Sequence, residues 1–137
     1  MDTELKINGS NQVYGVVDTE VTEIVIPDGV RVIKPNSFKG CKNLKTVKVP
    51  DCVDTIGSNA FEGCSSLKEI VLPQNLGEIG ANVFTGCTSL RKVYIKDYVD
   101  KIALTAFIDC KRIEEFVVSE DNYKFCSVDG SIYNRNK

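Results

Sequence analysis

The sequence contains neither histidine nor tryptophan, and it has a single methionine among 137 residues. Without histidine it lacks the side chain that most often acts as a general base or a metal ligand near neutral pH, which makes an enzyme a poor hypothesis. No apolar run approaches the roughly 18 residues of a transmembrane helix. Residues 1–4 are acidic and polar, so we expect no secretory targeting signal in this chain.

The sequence also lacks a strong excess of either charge. Seventeen Lys and Arg residues oppose 19 Asp and Glu residues, which gives a formal net charge of −2. A protein that binds nucleic acid or anionic membranes through its net charge is therefore excluded as a first hypothesis. Hydrophobic residues make up 42% of the chain and charged residues 26%, values typical of one globular domain of this length.

Four cysteines recur at intervals of 23 residues, and many other residues follow the same period. A phenylalanine precedes each cysteine by three positions, and leucine or isoleucine follows it by three. Further aliphatic residues and a proline also repeat at this interval. The cysteines are Cys41, Cys64, Cys87 and Cys110, and the phenylalanines are Phe38, Phe61, Phe84 and Phe107. About four and a half repeat units therefore occupy residues 21–118.

Each unit contains the pattern of a short strand followed by turns. In residues 67–72 the apolar side chains alternate as in a half-buried strand, and Pro73 prevents the strand from continuing. Gly80 then turns the chain, and the next residues predict a single helical turn that ends at Gly86. Because no unit can bury its apolar side chains alone, the units must stack into a solenoid of parallel strands.

The repeat unit read from Leu67 to Leu90 is Leu-x-x-Ile-x-Leu-Pro-x-x-Leu-x-x-Ile-Gly-x-x-x-Phe-x-Gly-Cys-x-x-Leu. This unit resembles the leucine-rich repeat of bacterial BspA-like surface proteins, the treponemal type. The resemblance covers residues 21–118. It implies a right-handed leucine-rich-repeat array with a concave parallel β-sheet and single helical turns on the convex side. It also implies a bacterial protein at the cell surface or secreted, of which this chain is a segment.

The residues outside the repeats predict two terminal structures. Asn8 and Gly9 indicate a hairpin turn in an N-terminal cap that covers the first open edge of the stack. Asp129 and Gly130 indicate the turn of a C-terminal β-hairpin. The predicted parts are an N-terminal cap (1–20), the leucine-rich repeats (21–118) and a C-terminal hairpin segment (119–137).

The cysteine column predicts buried free thiols. In a stacked array the Cα–Cβ vectors of neighbouring cysteines run nearly parallel, which disfavours a disulfide and cannot surround a metal ion tetrahedrally. A disulfide among the six cysteines is the alternative interpretation, and no metal or cofactor is predicted. Cys52 and Cys126 lie outside the column and are the more reactive candidates. The phenylalanine column predicts core packing rather than a ligand cavity.

The residues between the buried strand positions point outward on the concave sheet. Apolar side chains lie there beside long cations, a combination that favours a protein interface. The alternative explanation is that β-branched residues favour strands and that lysines prevent unwanted edge pairing. The predicted ligand-binding residues are Lys45, Lys48, Lys68, Val71, Arg91, Lys92 and Tyr94.

The functional hypothesis is a non-catalytic binding or adhesion module of a bacterial surface protein. It would recognise a host or microbial protein through the concave sheet, because stacked repeats offer an extended surface and no deep pocket. A glycan is the second ligand class considered. The alternative hypothesis is a structural spacer with no ligand of its own. No catalytic residue, nucleic-acid partner or membrane insertion is predicted, and the oligomeric state is left open.

Overall fold

The computed structural model describes residues 5–135, and within that range it contains 13 short β-strands and no helix. The expectations for residues 1–4 and 136–137 lie outside this range. No helix in residues 5–135 is long and apolar enough to cross a membrane. The strands are β1 (Leu5–Ile7), β2 (Val13–Val16), β3 (Glu23–Val25), β4 (Val32–Ile33), β5 (Thr46–Lys48), β6 (Thr55–Ile56), β7 (Glu69–Val71), β8 (Glu78–Ile79), β9 (Lys92–Ile95), β10 (Lys101–Ile102), β11 (Glu115–Val118), β12 (Phe125–Val128) and β13 (Ser131–Asn134).

The chain forms a β-solenoid of about five turns, in which each 23-residue repeat supplies two strands. Strands β3, β5, β7, β9 and β11 form one stack, the main column, and β4, β6, β8 and β10 form a second, the short column. Consecutive paired strands within each column are parallel and in register, as Ile24 opposite Val47 illustrates. The predicted stacking of the repeats as parallel strands is therefore confirmed.

The core lies between the two columns and the turns that close each repeat. Phe38, Phe61 and Phe84 are fully buried, and their rings stack at centroid distances of 5.2 and 5.6 Å. Phe107 continues the stack 5.5 Å from Phe84 but is only partly buried, because it belongs to the last full repeat. The prediction that the phenylalanine column is core is confirmed.

The predicted single helical turn in each unit is wrong, because these segments are runs of successive β-turns. Asn59 and Gly63 adopt left-handed backbone conformations, with φ of 63° and 78°, which interrupt a right-handed helix. Alternate amides therefore bond to the next repeat rather than within their own turn. These bonds are Asn59 N–Ala81 O (3.2 Å), Phe61 N–Val83 O (2.9 Å) and Gly63 N–Thr85 O (2.8 Å). We call this set of bonds the turn ladder.

Hairpins lie at both ends of the described chain. Strands β1 and β2 are antiparallel, and their loop is longer than a turn at Asn8 and Gly9 alone, since Asn8 N donates to Gln12 O at 3.0 Å. Strands β12 and β13 flank Asp129 and Gly130, whose positive φ angles of 52° and 84° are those of a type I′ turn. This second turn is confirmed as predicted. The C-terminal hairpin contacts β11, where Phe116 N donates to Gly130 O at 2.8 Å.

Candidate functional site

The side of the main column that faces away from the core, predicted to be concave, is here called the outer face. Register places Val25 beside Lys48, and Val71 beside Tyr94, in one outward row. Val25 is 61% exposed and Val71 49% exposed, whereas Tyr94 is half-buried. Exposed aliphatic side chains in a row offer apolar area that a partner could remove from water.

A second row consists of the cations that directly precede the main strands. Lys45, Lys68 and Arg91 are all exposed. Two of these positions are fixed by backbone bonds to the preceding repeat, because Lys45 N donates to Thr22 O at 2.8 Å and Arg91 N donates to Lys68 O at 2.7 Å. All three residues directly precede a strand of the main column, so they lie at the same edge of the outer face.

Two of the predicted binding cations are engaged in ion pairs within the chain. Arg91 Nε lies 3.3 Å from Glu114 Oε2, and Lys92 Nζ lies 3.9 Å from Glu115 Oε1. The first pair is exposed and the second is half-exposed, and an ion pair at the surface contributes about 0–1 kcal/mol. A partner could therefore exchange these contacts at small cost, but the charges of Arg91 and Lys92 are already balanced in the free protein.

The other three predicted cations differ from these. Within residues 5–135, Lys45, Lys48 and Lys68 make no ion pair, and all three are exposed. They lie on β5 or directly before β5 and β7, close to the exposed side chains of Val25 and Val71. These lysines thus lie beside apolar surface in the N-terminal half of the outer face, which also carries the exposed carboxylates of Glu23 on β3 and Glu69 on β7.

Ion pairs between residues 23 positions apart recur elsewhere on the surface, and sequence reasoning missed them. Arg31 Nη2 lies 2.8 Å from Asp54 Oδ2, and Lys39 Nζ lies 3.7 Å from Glu62 Oε1. Hydrogen bonds from Arg31 and Thr55 hold the pKa of the Asp54 carboxyl below its usual value. Opposite charges 23 residues apart in the sequence predict such ion pairs, because in-register stacking makes these residues neighbours.

The cysteine column lies in the core, and its thiols bond to the backbone of the preceding repeat. Cys64 Sγ donates to Phe38 O at 3.2 Å, and Cys110 Sγ donates to Phe84 O at 3.0 Å. Burial raises the pKa of Cys64 to about 12 and that of Cys110 to about 11. All six cysteines are free in this structure. The column thiols are therefore protonated and poorly nucleophilic near neutral pH.

A polar cleft of about 320 Å³ lies away from the predicted binding residues. It separates the loop after β1 from the first repeats, and its walls include Gln12, Arg31 and Asp54. Arg31 and Asp54 are already paired there. Within residues 5–135 no three Cys, Asp or Glu side chains are grouped so that they could hold a metal ion.

The geometry defines a leucine-rich-repeat solenoid, and comparison with known proteins identifies the type of repeat. The family model of the BspA type leucine-rich repeat region matches residues 13–131 in six copies. The chain belongs to the BspA-type leucine-rich-repeat family. A search of the curated proteins finds no match.

Solved structures of bacterial leucine-rich-repeat proteins share the fold. A leucine-rich repeat protein from Bacteroides ovatus is 35% identical with a TM-score of 0.67, over 72% of this chain and 25% of that one. The T. pallidum leucine-rich repeat protein TpLRR is 25% identical with a TM-score of 0.58, over 85% and 69% of the two chains. One from Eubacterium ventriosum is 18% identical with a TM-score of 0.64, over 91% and 42%, and shows the fold alone. The present chain thus spans less than half the length of the Bacteroides and Eubacterium proteins.

Proposed function

We propose that this chain is a non-catalytic protein-binding module whose outer face recognises a host or microbial surface protein. The observation that carries the proposal is the coincidence of exposed apolar side chains, Val25 and Val71, with three lysines that make no ion pair within residues 5–135. These lysines are Lys45, Lys48 and Lys68. Apolar area supplies affinity, and the cations supply specificity and attraction of an acidic partner. Arg91, Lys92 and Tyr94 extend the face toward the C-terminal repeats.

Membership in the BspA-type family supports the location and organisation proposed for the protein. We place it at the cell surface or among secreted proteins of a bacterium, with residues 1–20 as a cap, residues 21–118 as the repeats and residues 119–137 as a C-terminal hairpin segment of a longer chain. An extended repeat surface suits recognition of another macromolecule better than catalysis. We assign the chain no cofactor and no catalytic residue.

The test is a pulldown from host-cell and matrix extracts with three versions of the chain as bait. The test variant carries Lys45→Glu, Lys48→Glu and Lys68→Glu on the outer face. The control variant carries Lys34→Glu, Lys101→Glu and Lys111→Glu, which change the net charge equally at exposed positions elsewhere. Circular dichroism first establishes that all three fold alike.

We expect the wild type and the control variant to retain the same partners and the outer-face variant to lose them. A glycan ligand would instead appear as binding that survives removal of the protein partners and is competed by free glycan. If the outer-face variant retains every partner, or if no bait retains any, the binding proposal fails. The spacer function then becomes the better explanation.

A further inference from the structure

The solenoid contains one junction at which both strand columns lose their backbone pairing. In the main column β3 pairs with β5, and β7, β9 and β11 form a second group; in the short column β4 pairs with β6 and β8 with β10. Within residues 5–135, β5 does not pair with β7, and β6 does not pair with β8. Both interruptions fall between residues 44–66 and residues 67–89. We call this junction the seam.

Individual hydrogen bonds define the interruption in the main column. Lys45 N donates to Thr22 O at 2.8 Å, and one junction past the seam Arg91 N donates to Lys68 O at 2.7 Å. The equivalent bond at the seam would join Lys68 N to Lys45 O, and the described part of the chain has no such bond. The amide of Lys68, which begins the third repeat on the outer face, is therefore left for water or a ligand.

The short column also lacks a backbone hydrogen bond across the seam. Gly57 N donates to Ile33 O at 2.7 Å, and the equivalent bond at the seam would join Gly80 N to Ile56 O. That bond is also missing among residues 5–135. At this junction the strands of both columns therefore remain neighbours without the backbone bonds that join them elsewhere.

Packing gives a third, independent observation. Val47 on β5 and Val49, which directly follows β5, point inward but are only partly buried. Their counterparts in the next repeat, Ile70 and Leu72, are 1% and 0% exposed. Only in this repeat are both inward positions valine. The smaller side chains fill less of the core at β5, so fewer contacts hold β5 against β7.

The seam stays closed along the turns on the opposite side. All three bonds of the turn ladder cross it, at 2.8 to 3.2 Å. The thiol of Cys87 also bonds across it to Phe61 O at 3.1 Å. In the loops that join the two columns Asn75 N donates to Asp51 O at 3.3 Å, whereas the strands themselves have no backbone bond across the seam within residues 5–135. A junction that is tied on one side and untied on the strand side has the construction of a hinge.

We infer that the seam is a hinge, formed by the small inward residues of β5, about which residues 5–66 and 67–135 open and close the outer face. Lys45 and Lys48 lie on one side of the hinge, and Lys68 and Val71 lie on the other. The role of the hinge in recognition rests on the proposed function, since it lets the binding face adjust its curvature to a partner. The motion itself requires no partner.

Amide hydrogen exchange of the free wild-type chain tests the hinge, because exchange reports local opening. The amides of Lys68 and Gly80 at the seam are compared with the amides of Arg91 and Ala103 one repeat later. Arg91 N donates to Lys68 O at 2.7 Å, and Ala103 N donates to Ile79 O at 2.8 Å. After correction for intrinsic rates, we expect the seam amides to exchange at least ~10-fold faster. Equal protection at the two junctions would overturn the hinge.

A variant tests whether the small inward side chains of β5 cause the loss of pairing at the seam. Val47→Ile with Val49→Ile gives β5 the bulk of its neighbours, and it should slow exchange at Lys68 and Gly80 toward the rates at Arg91 and Ala103. The control, Val71→Ile, adds a methyl group beside the seam on the outer face and should leave these rates unchanged. Unchanged seam exchange in a folded double variant would contradict the inferred origin of the hinge. The comparison of exchange rates within the wild-type chain requires neither a variant nor a partner. The hinge can therefore be disproved whatever the result of the pulldown.

Discussion

At the residue scale, the phenylalanine column shows how position in the stack determines burial. Phe61 is fully buried between two stacked neighbours, whereas Phe107 lies in the last full repeat and is partly exposed. We predict that Phe61→Ala lowers the free energy of unfolding by about 3–5 kcal/mol, through lost burial and the cavity that remains. Phe107→Ala should cost less. Urea denaturation measures both, and a cost for Phe61→Ala below about 1 kcal/mol would contradict the core assignment.

The cysteines make a second prediction at this scale. Thiol titration in denaturant without reductant should find six free thiols, because parallel side chains in the column disfavour a disulfide. In the folded protein Cys52 and Cys126 should react before Cys41, Cys64 and Cys87, since the first two are only partly buried and the other three are buried. Fewer than six thiols in freshly purified protein would mean that a disulfide exists.

The raised thiol pKa values predict how stability depends on pH. Burial raises the pKa of Cys64 from 9.0 to about 12, so the folded state favours the protonated thiol. Its contribution to stability is complete below pH 9.0 and is lost as the pH rises toward 12. Urea denaturation at a series of pH values should show this decline, with a shallower slope for Cys64→Ala. Identical slopes for the two proteins would contradict the prediction.

At the scale of elements, the turn segments depend on residues that tolerate a left-handed backbone. Gly63 has φ of 78°, and an added Cβ would lie 3.7 Å from Gly40, so space is not limiting. We predict that Gly63→Ala costs about 1–2 kcal/mol through backbone conformation alone. Gly80→Ala is the control, because its added Cβ meets nothing within 4 Å and its φ is not positive. Equal stability of the two variants in urea would contradict this account.

The same segments show where sequence reasoning succeeded and where it failed. The 23-residue period predicted the stacked strands, because in-register parallel pairing follows from columns of like residues. It did not predict the turns, because a glycine at the end of a short apolar stretch was interpreted as the end of a helical turn. Asparagine recurs at positions 36, 59 and 82, each with positive φ, and this was the available signal, since asparagine tolerates that conformation.

The seam could not be predicted from the pattern for a different reason. Valine and isoleucine are equivalent in a repeat consensus, so Val47 and Val49 look like ordinary column residues. Their effect depends on the summed volume of the neighbouring repeats and on backbone distances. The division of the predicted cations into paired and unpaired sets also required the structure, because it depends on side-chain geometry.

At the scale of the whole molecule, the solenoid separates a structural side from a proposed binding side. Hydrogen bonds between the turns of successive repeats, the cysteine column and the phenylalanine stack continue from repeat to repeat and hold the repeats together. The main column is interrupted at the seam, and its outer face carries the exposed valines and the lysines that make no ion pair among residues 5–135. We interpret rigidity on one side and adaptability on the other as suited to recognition by an extended surface.

The most direct test of this account is site-specific photo-crosslinking in the extracts used for the pulldown. A photoreactive phenylalanine analogue replaces Val71 on the outer face in one version and Leu104, a fully exposed residue in the turns of the fourth repeat, in the other. We predict a discrete crosslinked protein from position 71 and none of the same mass from position 104. Crosslinking of one partner from position 104 alone, or from neither position, would contradict a binding function for the outer face.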